Sequence, residues 1–91
     1  MPSNNPDPSL KDPATSLGAA LRALERNDWE GAHRIVQSLD GQAAAWLHGV
    51  LHLVEGDEAN AQYWYRRAGK PCPGAAQIQQ ELQAIQRAVT G

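Results

Sequence analysis

Two histidines and a glutamate stand close together near the middle of the chain, at His48, His52 and Glu55 in the segment WLHGVLHLVEGD. Residues three or four positions apart lie on one face of an α-helix, so these side chains would project from neighbouring points of one helix. Two imidazoles and a carboxylate are a donor set that divalent metal ions accept. The spacing therefore indicates a candidate metal site made of His48, His52 and Glu55.

The same histidines have two further interpretations. A polar pocket for a small ligand would combine His48, His52 and Glu55 with Tyr65 of the next predicted helix. In the structural interpretation, the two histidines are buried beside Gly49, whose missing side chain permits another helix to approach closely. Burial would lower their pKa values, because charging an imidazole away from water is unfavourable. We favour the structural interpretation and keep the pocket and the metal site as alternatives.

No catalytic set accompanies these histidines. The zinc-protease motif requires a glutamate directly after its first histidine, and this chain has Gly49 at that position. The sequence also lacks a glycine-rich phosphate loop and a nucleophile elbow. Asp57 and Glu58 are explained by a helix start, where the helix dipole favours negative charge. We therefore assign no catalytic residue and regard a non-enzymatic protein as the preferred interpretation.

Composition narrows the class of protein. A chain of 91 residues is long enough for one domain with a modest core. Its 8 basic and 10 acidic residues give a net charge of −2, without the basic surplus that a nucleic-acid-binding protein needs. The apolar runs are far shorter than the roughly 20 residues that cross a bilayer, and the first residues do not resemble a signal peptide. These features predict a cytoplasmic protein that binds neither nucleic acid nor membranes.

Five helices are predicted to position the candidate residues. Proline-rich residues 1–12 predict a flexible tail, and residues 13–91 a single helical domain. The third helix is apolar over about half of its circumference, which predicts a central position. His33, on the second helix, is expected to be exposed. From apolar periodicity, caps and glycines, the predicted helices span residues 14–26, 29–39, 42–55, 58–68 and 75–89.

An internal repeat indicates how these helices pair. Ala32 aligns with Ala61 and Val36 with Tyr65 when the second predicted helix is placed over the fourth. The first helix aligns with the third in the same register. The chain is therefore predicted to form two antiparallel helical hairpins, stacked on each other and closed by the fifth helix.

The second hairpin resembles a tetratricopeptide repeat. His48 and His52 depart from that pattern, since the repeat usually has a leucine and an aromatic residue at these positions. The stretch LHGVLHLVEGDEANAQYWYRRAG also resembles small bacterial and fungal proteins of no known activity. The residues that match the small, aromatic and proline positions of the tetratricopeptide repeat are Gly49, Ala61, Tyr65, Ala68 and Pro73.

The resemblance to the tetratricopeptide repeat implies a non-enzymatic function. Members of that family bind peptides or other proteins in a concave groove. Repeat arrays need about three units to bury a continuous core, so the fifth helix must cap the two hairpins or the chain must form a dimer. We expect a non-enzymatic interaction module with a protein or peptide partner, or self-association. The alternative is a protein that binds a small ligand or a divalent metal at His48 and His52; no other cofactor is expected.

Overall fold

The protein is an all-α structure in the computed structural model, which describes residues 13–90. Within that range no strand is present, and none of the helices is both long and apolar enough to cross a membrane. The predicted tail at residues 1–12 lies outside the described residues. The helices are α1 (Pro13–Glu25), α2 (Trp29–Gln37), α3 (Gln42–Val54), α4 (Glu58–Ala68) and α5 (Ile78–Thr90), with one 3-10 turn at Ala75–Gln77 before α5. The predicted fold class is confirmed.

Short polar side chains set where two of the helices begin. The Asp28 carboxylate accepts a hydrogen bond from the Gly31 backbone N–H at 2.9 Å, and Asp57 accepts one from Asn60 N–H at 3.2 Å. Each carboxylate satisfies a backbone donor that has no partner inside its own helix. At the other end of α4, Gly69 adopts a left-handed conformation with φ of 72°. Local sequence signals therefore fix the start of α2 and both ends of α4.

The helices pack as two hairpins with α3 at the centre. Helix α1 packs on α2 and α3 packs on α4, while α5 contacts both α3 and α1. Every residue of α3 from Ala44 to Leu53 is buried. The expectation of a central third helix is therefore met, and α3 is the element on which the side chains of the other helices converge.

Gly49 lies where α4 crosses α3. A Cβ atom added at Gly49 would stand 2.5 Å from Cδ2 and 2.8 Å from Cε2 of Tyr65. Carbon atoms without a bond between them do not approach so closely, so only glycine fits at this position. The aromatic ring of Tyr65 occupies the space that the glycine leaves.

A carboxylate from α5 joins three helices. Glu81 Oε1 accepts a hydrogen bond from Trp46 Nε1 of α3 at 2.9 Å and another from the Tyr65 hydroxyl of α4 at 2.8 Å. Tyr65 has no exposed surface, and its burial raises the pKa of its hydroxyl above the ordinary value, with a further contribution from the Glu81 carboxylate. The Lys70 ammonium lies 4.0 Å from the centre of the Trp46 ring. These contacts hold α5 over the second hairpin.

Replacing Glu81 with leucine is expected to lower the free energy of unfolding by about 2 kcal/mol, because the buried Tyr65 hydroxyl loses its acceptor. Glu81→Gln is the matched control, since its amide oxygen can still accept from the hydroxyl, and its loss should be smaller. Urea unfolding of the three proteins measures the difference. Equal stability of Glu81→Leu and the wild type would mean that apolar contacts alone hold α5.

Candidate metal centre

All three histidines of the chain meet in one group, His33 of α2 with His48 and His52 of α3, which we call the histidine cluster. Each offers one ring nitrogen, and these three nitrogens lie within 4.8 Å of one another. The Nε2 atoms of His33 and His48 are 3.0 Å apart. The rings of His48 and His52 are stacked with their centres 5.1 Å apart, as their spacing of four residues on one helix predicts.

The expectation that His33 is exposed was wrong. Its ring is half-buried, with its centre 4.7 Å from that of His48 and 5.4 Å from that of His52. Because α2 packs on α3, the side of α2 that carries Trp29 and His33 faces the interior. Trp29, one turn before His33, stacks on it at 4.7 Å and donates from Nε1 to the Leu51 carbonyl at 2.7 Å. The spacing of Trp29 and His33 by four residues was the sequence signal that could have revealed this face.

Glu55 positions His52 instead of joining the three-histidine group. Its Oε1 atom lies 2.6 Å from His52 Nδ1, and the carboxylate is 39% exposed. A carboxylate bound to one ring nitrogen fixes the orientation of the imidazole and makes the opposite nitrogen a better donor. The nitrogen of His52 that remains for a metal ion is therefore Nε2.

A second group of donor atoms shares His52 and consists of His52, Glu55 and Asp57. Its carboxylates already have partners. Asp57 caps α4 and also accepts from the Asn60 side chain at 2.6 Å, which together hold the pKa of Asp57 below its usual value. Because Glu55 is exposed and Asp57 is committed to the helix start, the histidine cluster is the better metal site.

Tryptophan rings enclose two sides of the histidine cluster. Trp64 of α4 stacks on His48 with ring centres 3.8 Å apart and planes inclined by 10°, and Trp29 covers His33 in the same manner. The Arg67 guanidinium lies 5.4 Å from the centre of the Trp64 ring on α4. These flat contacts restrict rotation of the imidazoles and keep their nitrogens directed at one another.

Burial lowers the pKa values of two members of the cluster, His33 and His48. Desolvation lowers the pKa of His48 to about 4, and the neighbouring His33 and His52 add to the decrease. Burial also lowers the pKa of His33, helped by His52 and opposed by the Glu55 carboxylate. His48 and His33 are therefore neutral at pH 7, the form in which an imidazole can bind a metal ion.

The structure does not bring Tyr65 to the histidine cluster. Its hydroxyl donates to Glu81, and its ring fills the space beside Gly49. Of the predicted ligand-binding residues, His48 and His52 lie together and Glu55 orients one of them. His33, which the sequence interpretation had placed on the surface, takes the third position.

Comparisons of this chain with family models, with curated proteins and with solved structures gave no match. The hairpin pairing of α1 with α2 and of α3 with α4 is present. Membership of the tetratricopeptide family stays an expectation.

Proposed function

We propose that the protein binds a first-row transition-metal ion, such as Zn²⁺, through His33, His48 and His52. The observation that supports this proposal is the convergence of every histidine in the chain, from two helices, on one small volume. Zinc–nitrogen bonds of about 2.0–2.1 Å in a tetrahedral site separate two ligating nitrogens by roughly 3.3 Å. The 3.0 Å between Nε2 of His33 and Nε2 of His48 is close to that separation, so these two residues need little movement to bind one ion.

The donor atoms select the class of ion. Imidazole nitrogens suit zinc, copper and nickel, whereas magnesium and calcium require oxygen ligands. Neutral His33 and His48 need not lose a proton overall, but the Nε2 atom that donates the hydrogen bond between them must pass its proton to Nδ1 of the same ring before it binds the ion. Glu55 on the far nitrogen of His52 supplies the outer hydrogen bond that strengthens an imidazole ligand. A binding site with these properties discriminates against the alkaline-earth ions.

Zinc titration into the metal-free protein tests this function. The melting temperature should rise at micromolar zinc, because an ion present at about 100 times its Kd stabilises the folded state by roughly 2.7 kcal/mol. Each of His33→Gln, His48→Gln and His52→Gln should weaken the response. Arg34→Gln, an exposed neighbour of His33, is the matched control and should keep it.

Magnesium at the same concentration should leave the melting temperature of the wild type unchanged. A wild type that does not respond to zinc would contradict the proposal. A full zinc response in His33→Gln would show instead that the pair His48 and His52 binds the ion without α2.

As a second candidate function, we propose protein binding, in the form of self-association. Helices α1 and α5 border a groove of about 690 Å³, and Val54 at the C-terminal end of α3 also lines it. Val54 at this end is 43% exposed, and it is the one large aliphatic side chain of residues 16–89 that is exposed. The resemblance to tetratricopeptide repeats, which bind protein and peptide partners, supports this candidate. The large apolar residues that line the groove are Leu21, Leu24, Val54, Ile78 and Leu82.

Sedimentation over a range of protein concentrations tests self-association. The wild type should shift from monomer to dimer as its concentration rises, and Val54→Glu should remain monomeric because a charge would be desolvated in the interface. Gln62→Glu, which adds a charge on the exposed side of α4 outside this groove, is the comparison variant and should still form the dimer. Monomeric wild type at every concentration would exclude self-association through this groove.

A further inference from the structure

We infer that a metal ion in the histidine cluster keeps an open coordination position, which takes water or one small Lewis base such as azide. This inference rests on the proposed metal binding. Zinc in protein sites has at least four ligands. Within residues 13–90, the group that contains His33, His48 and His52 includes no fourth histidine, cysteine or carboxylate. At least one ligand must therefore come from outside these side chains.

The nearest carboxylate is held away from that position. Glu55 Oε1 is bound to Nδ1 of His52, so the ring nitrogen of His52 that is left for a metal ion is Nε2. The two nitrogens are on different edges of the imidazole ring. Glu55 can thus orient His52 and strengthen it as a ligand, but the same hydrogen bond keeps its carboxylate off the ion.

The two tryptophans that stack on the cluster have no lone pair to offer. Trp29 and Trp64 stack on His33 and His48, and an indole carries only an N–H donor. The Trp29 N–H is already bound to the Leu51 carbonyl. Aromatic faces can border an open coordination position without filling it.

Burial limits the size of the ligand that can enter. His48 and His52 are only 4% and 7% exposed, and His33 is the member of the cluster with the greatest contact with solvent. The half-buried edge of His33 and a groove lined in part by His48 and Trp64 are the two sides on which the cluster comes nearest to solvent. With two of the three rings buried, the position suits water, hydroxide or a linear triatomic anion. Three nitrogen ligands and an exchangeable water are the arrangement of catalytic zinc sites, whereas structural sites are closed by four protein ligands.

Cobalt-substituted protein tests the open position. Co²⁺ replaces zinc in such sites and reports its ligands through visible absorption. We expect the full chain to give a Co²⁺ spectrum that is lost on adding excess zinc, and we expect azide to change this spectrum in a saturable manner. Sodium chloride at equal ionic strength is the control and should not reproduce the azide spectrum.

The outcomes separate the two proposals. A zinc-displaceable Co²⁺ spectrum that azide does not change at any concentration overturns the open position and leaves metal binding intact. Failure of the protein to bind either Co²⁺ or zinc overturns both proposals. Glu55→Gln identifies the competing ligand: if azide acts on this variant but not on the wild type, the Glu55 carboxylate fills the fourth position and the inference is wrong.

Discussion

Replacing Gly49 with leucine is expected to lower the free energy of unfolding by about 3 kcal/mol, at the upper end of the usual range for overpacking. The first added carbon would already stand 2.5 Å from Cδ2 of Tyr65 and 3.3 Å from its backbone nitrogen. Tyr65 cannot move aside easily, since its ring is fully buried and its hydroxyl is bound to Glu81. The better helix propensity of leucine offsets only about 1 kcal/mol of this destabilisation.

Urea unfolding measures this loss, and a second glycine in a helix provides the control. Gly49→Ala should also be destabilising, because the clash begins at Cβ. At Gly18 of α1, the nearest atom to an added Cβ is the end of the flexible Arg22 side chain at 3.4 Å. Gly18→Ala should therefore be stabilising by up to about 1 kcal/mol. If alanine stabilised the protein at both positions, α4 would not cross α3 as closely as described.

Sequence reasoning succeeds for features that a few neighbouring residues determine. The start of α4 follows from Asp57 and its end from Gly69, because a side-chain cap and a left-handed glycine act within one helical turn. Gly49 in the apolar third helix correctly predicted a close helix crossing. The central position of α3 follows from the width of its apolar surface, which requires several packing partners.

The candidate site was only partly predictable, because it depends on how distant helices are turned toward each other. His48 and His52 share a face through their spacing alone. Placing His33 requires the rotation of α2 about its own axis, which the packing of Ala32 and Val36 fixes. Tyr65 was assigned to the site because the sequence does not show that α5 folds back and brings Glu81 to its hydroxyl.

In the metal-free protein, lowering the pH from 6.5 to about 4 is expected to decrease the free energy of unfolding through His48. Its pKa falls from 6.5 to about 4 on folding, so within this interval the unfolded chain takes up a proton that the folded chain does not. The loss amounts to about 3 kcal/mol and levels off once the folded protein is also protonated. Stability from this source is therefore present above pH 6.5.

Comparison of the wild type with His48→Gln isolates this effect, because the carboxylates of the chain titrate in both proteins. The groups that face His48 are His33 on α2 and His52 on its own helix, with Glu55 behind His52. Urea unfolding with a chelator present, at intervals from pH 7 to pH 4, should give a shallower decline for His48→Gln. Parallel curves would mean that folding does not change the pKa of His48. A His48 that stays neutral down to about pH 4 is protected from water by Trp64 and its histidine neighbours, and it is available to zinc throughout the physiological range.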